Sequence, residues 1–346
     1  MKVGVVGLGR VGKIHLSNLI YHFPEIDVVI VSDPAVETHD FARRLGVQNI
    51  VQNAEEVLTH PDVDSVLICS PTPYHVPNLI LAARHGKHIF CEKPVDVTLS
   101  SIKEACKVVE EFGVKLMVGF NRRFDDNFSR VRELVASGKI GEPHILRITS
   151  RDPAPPSLDY LRTSGGIFLD MTIHDFDMAR FIVGSEVVEV FVKGAALINP
   201  EIERINDIDT AVIVLTFENG AIGVIDNSRK AVYGYDQRLE IFGSEGMARA
   251  ENRKENDVEF AGKEGITGAL PLYFFLERYE KAFRECLRNF LSCVANDEAS
   301  PVNVYDGLMA TAIGKAALKS LMEKRPVKMS EVLNEVDREI TISGSN

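Results

Sequence analysis

Five short apolar runs, Val3–Val6, Val28–Val31, Val66–Cys69, His88–Phe90 and Leu116–Val118, recur along residues 1–120 at helix-length intervals. Each is too short for a helix, rich in β-branched residues, and without the polar alternation of a strand that has one wet face. A strand buried on both faces needs helices above and below it, which is the parallel sheet made by repeated βαβ units. Lys13–His22, Val76–His85 and Leu99–Phe112 supply the helical patterns. Ser100 and Ser101 stand near the start of the last one, and Gly113 lies just past its end.

The pattern changes from about residue 144. Ile145–Thr149, Val187–Lys193, Thr210–Phe217, Ala221–Asn227, Gln237–Phe242 and Met247–Glu251 read as strands joined by turn residues. Glu218-Asn219-Gly220-Ala221 sets Asn-Gly between apolar runs, a strong hairpin signal, and Gly243-Ser244-Glu245-Gly246 marks another turn. Tyr273–Ala295 and Tyr305–Glu323 read as closing helices, and the final Ser-Gly-Ser-Asn is expected to fray. Parallel runs first and antiparallel runs later predict two domains. Residues 1–121 form an α/β N-terminal Rossmann domain; residues 122–346 form an α+β C-terminal domain with a largely antiparallel, open-faced sheet.

Charge and cysteine content narrow the function. Lys and Arg number 39 against 50 Asp and Glu, a net charge of −11. Phosphate polymers and anionic membranes need a positive field, so neither nucleic acid nor a membrane surface is an expected partner. No apolar stretch reaches the roughly 18 residues of a membrane span, and the N-terminus shows no signal-peptide pattern. Five scattered cysteines without a CxxC pair argue against a disulfide framework or a structural zinc site, and for a cytoplasmic protein.

Gly7-Leu8-Gly9-Arg10-Val11-Gly12 follows the first strand and opens the first helix. There, glycines allow a tight turn and a close approach of the backbone to a pyrophosphate, seated on the helix N-terminus. Asp33 follows the second strand 21 residues after Gly12, near the spacing at which a carboxylate meets the adenosine ribose. No Arg follows it immediately, so NAD is favoured over NADP. Cys69-Ser70-Pro71-Thr72-Pro73-Tyr74-His75 comes at the carboxyl end of another strand, where open α/β sheets bind ligands. Ser70 and Thr72 are candidates to face the dinucleotide; His75 is either a further contact or a residue at a helix start. Cys91-Glu92-Lys93-Pro94 ends the next strand. Lys93 there either donates to a substrate hydroxyl and stabilises a developing alkoxide, or is a surface residue paired with Glu92.

In the second domain, Ser164–Asp177 is the most informative stretch. Asp170–Phe181 reads as one helix, which puts Asp170 and His174 at i and i+4 on one face, a carboxylate placed to orient an imidazole. Two alternatives remain open, a purely structural pair and a metal site. The metal reading lacks a clear third ligand.

Together these motifs resemble the glucose–fructose oxidoreductase, inositol dehydrogenase and rhizopine catabolism (Gfo/Idh/MocA) family over nearly the whole chain. Gly7 to Gly12 matches its dinucleotide turn, Glu92-Lys93-Pro94 its signature tripeptide, and Gly119-Phe120-Asn121-Arg122-Arg123-Phe124 its interdomain crossover. Asp170-Met171-Thr172-Ile173-His174-Asp175 matches the helix that bears the catalytic pair in the inositol dehydrogenase branch. The resemblance implies an NAD-dependent oxidoreductase acting on a polyol, most specifically myo-inositol; the alternatives are the same chemistry on scyllo-inositol or a pyranose sugar, and a non-catalytic nucleotide-binding regulatory protein. By the same resemblance, Lys93 binds the reacting hydroxyl, His174 takes its proton and Asp170 supports the relay. Arg123, Asp152 and Tyr233 are implied as polyol contacts, with Asp175 a further candidate. Gly7, Gly9, Arg10, Val11, Gly12, Asp33, Ser70, Thr72, His75, Glu92 and Lys93 make up the expected cofactor site. A homotetramer packed through the open sheet faces is implied as well.

Overall fold

Val3, Val5, Val31, Val66 and Leu67, all from the apolar runs, are wholly removed from solvent. In the computed structural model, which describes residues 1–334, these runs are the strands of one six-stranded sheet. Its strands are β1 (Lys2–Val6), β2 (Asp27–Ser32), β3 (Ile50–Val51), β4 (Ser65–Ile68), β5 (His88–Cys91) and β6 (Leu116–Val118). They pair in parallel in the order β3-β2-β1-β4-β5-β6. The order reverses direction between β1 and β4, which opens a ligand crevice at their carboxyl ends. The two-residue edge strand β3 is too short for periodicity to reveal it. The expected fraying of residues 343–346 lies outside the described residues.

The chain divides into two units, Met1–Asn121 with Lys281–Thr311, and Arg122–Glu280 with the segment from Ala312. The expected single boundary is thus corrected: residues 281–311 return to the first unit. The cause is apolar packing. In the helix Glu280–Ala295, Phe283 packs edge-on against His15 and Phe290 against Phe90 of β5, with ring centroids 5.8 and 5.7 Å apart. The predicted helix Tyr273–Ala295 is also broken, into Phe275–Arg278 and Glu280–Ala295.

The second unit holds a seven-stranded sheet built from β7 (Pro143–Arg151), β8 (Val187–Ala195), β9 (Thr210–Phe217), β10 (Ile222–Ser228), β11 (Asp236–Gly243) and β12 (Met247–Ala250). A separate exposed hairpin, β13 (Glu259–Gly262) and β14 (Gly265–Gly268), precedes the edge strand β15 (Val327–Lys328). The order is β12-β11-β7-β10-β9-β8-β15, antiparallel except for the β7–β10 pair. Asn219-Gly220 makes the β9–β10 turn, with Gly220 at φ +87°. Side chains alternate as a one-sided sheet requires. Ala211, Ile213, Leu215 and Phe217 of β9 are buried, whereas Ile145, Val212, Ile222, Phe242 and Met247 remain 38–49% exposed. On the inner side, the helix Ile173–Val183 packs on β7 and on the helix Asp126–Ala136.

Candidate active site

The glycine turn after β1 is packed tightly behind and bare in front. Gly7 has φ +94°, and a Cβ on it would meet the Cys69 carbonyl at 2.7 Å. A Cβ on Gly12 would come within 2.0 Å of the Gly7 oxygen. Gly9, at the N-cap of the helix Arg10–His22, is exposed, and a Cβ there would meet nothing within 4 Å. Arg10 is exposed and Val11 half-buried in the first turn of that helix. This is a surface a pyrophosphate can approach, over a helix N-terminus that favours negative charge.

Asp33 is fixed by the main chain. Its Oδ2 accepts from the Leu8 amide at 2.6 Å and its Oδ1 from the Ala35 amide at 2.8 Å. Each carboxylate oxygen keeps a further lone pair, so ribose hydroxyls can still donate to it. The glycine turn and Asp33 therefore fit a dinucleotide, and NAD in particular.

Ser70 and Thr72 are half-buried in the turn after β4, and the Asn78 amide donates to Ser70 Oγ at 3.3 Å. His75 opens the helix His75–Arg84, the second of its two readings. It is 2% exposed, with Nδ1 2.8 Å from the Pro94 carbonyl oxygen and Nε2 2.6 Å from that of Ser70. Both nitrogens lie against backbone carbonyls. Glu92, also expected at the cofactor site, turns its side chain inward. It is buried, with Oε1 2.8 Å from His15 Nε2 and Oε2 accepting from the Lys93 amide at 3.3 Å. The alternative of an exposed Lys93–Glu92 pair gives way to a buried carboxylate, with half-buried Lys93 just beyond the end of β5.

In the second unit the single helix Asp170–Phe181 is corrected to two. Asp170 ends the helix Gly166–Asp170, and His174 is the second residue of Ile173–Val183. The break comes at Met171-Thr172, where Thr172 Oγ1 turns to Asn227 Oδ1 at 2.6 Å. Asp170 Oδ1 accepts from the Tyr160 hydroxyl at 2.8 Å, and Oδ2 accepts from both terminal nitrogens of Arg229 at 3.2 Å. Half-buried His174 thus follows a carboxylate held by two side chains that sequence reading missed. The Arg229 guanidinium also faces Asp152. Burial nevertheless dominates there and, with Asp170 and Asp175 nearby, pushes the Asp152 carboxyl up to about 6, against the charges of Arg229 and Arg122.

The remaining expected contacts are committed elsewhere. Arg123 is buried and grips Asp177 with Nε at 2.9 Å and Nη2 at 2.5 Å, its guanidinium 5.1 Å from the Phe181 ring centroid. It forms an internal ion pair with Asp177. Tyr233 donates to Asp236 at 2.6 Å and accepts from Arg151 at 3.1 Å, a network of its own beside β11. Asp175, wholly buried, takes Arg122 at 2.6 Å and Asn227 at 2.9 Å, so it holds the helix to the sheet. Burial raises its pKa, opposed by Arg122 and Asn227.

Comparison with known proteins bears on both units. Residues 1–120 match the oxidoreductase family with an NAD-binding Rossmann fold, and residues 128–249 match the GFO/IDH/MocA C-terminal domain. The chain is 50% identical over 333 residues to a myo-inositol 2-dehydrogenase of Thermotoga maritima, covering 96% of this chain and 100% of that one. A crystal structure of a probable dehydrogenase from Thermotoga maritima superposes with a TM-score of 0.94 at 49% identity, covering 96% and 100% of the two chains. A scyllo-inositol dehydrogenase from Lactobacillus casei, crystallised with NAD(H) and scyllo-inositol, gives a TM-score of 0.89 at 30% identity, covering 95% and 99%. With a glycine turn shaped for a dinucleotide in one unit and the Asp170–His174 segment in the other, the chain belongs to the Gfo/Idh/MocA oxidoreductase family.

Proposed function

We propose that this protein is an NAD-dependent dehydrogenase of cyclic polyols that oxidises myo-inositol to 2-keto-myo-inositol. The observation that carries the reading is Asp170, clamped by Arg229 and Tyr160 directly ahead of His174. A carboxylate held from two sides is a fixed reference for a neighbouring base. Bound NAD supplies the hydride acceptor. The rest is done by side chains. Lys93 donates to the reacting hydroxyl and lowers the cost of charge developing on its oxygen. His174 takes the hydroxyl proton, a role that contributes roughly 10²–10⁴-fold when the base is well placed. Asp170 keeps the base oriented. Asp152, with its carboxyl at about 6, can donate to or accept from a further ring hydroxyl near neutral pH. Asp33 disfavours a 2′-phosphate and so selects NAD.

The likeness to a scyllo-inositol dehydrogenase supports a second substrate reading, the same chemistry on scyllo-inositol. The exposed apolar side chains of the sheet's outer face, Ile145, Val212, Ile222, Phe242 and Met247, support a homotetramer packed through that face. Five free cysteines favour a reducing, cytoplasmic setting. No helix among the described residues is long and apolar enough to cross a membrane. The deciding experiment is NADH formation at alkaline pH across inositol isomers, glucose and xylose. Turnover greatest with myo-inositol supports the proposal; no turnover with any of them overturns it.

A further inference from the structure

His75 has the chemistry of a clamp. It lies in the core of the first unit, and its two ring nitrogens meet two carbonyl oxygens far apart in the chain, Ser70 at 2.6 Å and Pro94 at 2.8 Å. Ser70 belongs to the turn after β4, and Pro94 follows Lys93 in the turn after β5. The ring therefore spans the two turns that close the carboxyl edge of this sheet. A carbonyl oxygen can only accept, so each contact requires an N–H on the ring. A neutral imidazole carries one N–H, and its other nitrogen would turn a lone pair towards the second carbonyl. Only the imidazolium donates to both.

We propose that His75 is a positioning residue that ties the Ser70 turn to the Lys93-Pro94 turn, and that protonation of its ring completes the tie. The charged groups facing it are carboxylates: Glu92, on the β5 turn and itself bonded to His15, and Asp96. Both favour the imidazolium, as do the two carbonyls, while burial outweighs them and draws the His75 pKa below the ordinary imidazole value. Near neutral pH the ring therefore holds one carbonyl, and acidification closes the second bond. The clamp stiffens as pH falls. The clamp does not rest on the substrate proposed above.

The test uses NADH binding and not turnover, so that it can succeed or fail independently of the substrate assignment. In full-length protein labelled with ¹⁵N-histidine, His75 is identified by the signal missing from His75→Gln. Acidification is expected to convert it from one protonated nitrogen to two, with a midpoint below about 6.5. Over the same pH range NADH affinity should tighten about two- to tenfold, the worth of one hydrogen bond, and His75→Gln should lose that pH-dependent gain. A His75 ring that keeps one bare nitrogen down to the acid limit of folding overturns the proposal, as does an equal pH dependence of NADH affinity in parent and variant. If His75→Gln does not fold, His75 is assigned by its nuclear Overhauser contacts to Pro94, and the parent titration alone decides.

Discussion

The two units solve the problem of a rigid site with different materials. In the first, the shape is drawn by main chain: glycines stripped of Cβ, Asp33 bound by two backbone amides, and His75 bridging two backbone carbonyls. In the second, charged side chains draw it: Arg229 with Asp170, Arg122 with Asp175, Arg123 with Asp177 and Arg278 with Asp125. A turn built from backbone tolerates most side-chain changes but not a methyl group added where the chain closes on itself, as at Gly12. A site built from buried ion pairs depends on each partner, because removing one strands the other's charge.

The contrast predicts where substitutions should hurt. The largest effect should come from the base. His174→Asn should lose roughly 10²–10⁴-fold in turnover, while exhaustive EDTA treatment leaves the parent enzyme fully active. Near-normal turnover in the variant, or chelator-killed parent enzyme, breaks the acid–base assignment. Next is Arg229→Gln, which should destabilise the second unit by about 3 kcal/mol, at the low end for buried pairs because Asp170 keeps some access to water. An unchanged melting curve would mean that side-chain pairing does not hold this unit together.

Asp152→Asn should act through pH. The folded carboxyl titrates at about 6, above its ordinary value of 3.8, so the folded state prefers the protonated form. That contribution to stability is complete below about pH 4 and is lost as pH rises through about 6. The variant should abolish this slope and be more stable than the parent above pH 6.5, by on the order of 2 kcal/mol. Thermal unfolding from pH 4.5 to 7.5 checks it; parallel curves for parent and variant sink it.

The smallest effect sharpens the backbone half of the contrast. Gly9 sits at φ −64° with open space where a Cβ would go, so Gly9→Ala should fold normally and weaken NAD binding roughly tenfold, about 1.4 kcal/mol. Gly12→Ala, whose Cβ would lie 2.0 Å from the Gly7 oxygen, should lower the melting temperature instead. Equal melting temperatures for the two variants would mean that the turn is not packed as described.

The same contrast explains what could be read in the sequence. Gly7 to Gly12, Asp33 and the Asn219-Gly220 hairpin act over short stretches of chain, and their residue types have few other uses. The partners of the charged network are remote: 59 residues separate Asp170 from Arg229, 77 separate His15 from Glu92 and 153 separate Asp125 from Arg278. No local pattern links them, so Arg229 and Tyr160 went unseen, as did the Asp177 and Arg151 partners of Arg123 and Tyr233. The break at Met171-Thr172 was hidden for another reason: neither Pro nor Gly marks it, and its cause, Asn227, lies on a strand 55 residues away.

The return of Lys281–Thr311 to the first unit sets a clock on biosynthesis. When residue 121 leaves the ribosome, the six strands exist but Phe283 and Phe290, which cover His15 and Phe90, have not been made. A further 190 residues (311 − 121) must be translated first, about 10–40 s at ordinary elongation rates. Through that interval the nascent Rossmann sheet carries a bare aromatic flank, the kind of surface that chaperones bind. A fragment ending at Asn121 lacks Phe283 and Phe290 altogether, so cutting the chain after its last parallel strand leaves the dinucleotide half without part of its own core.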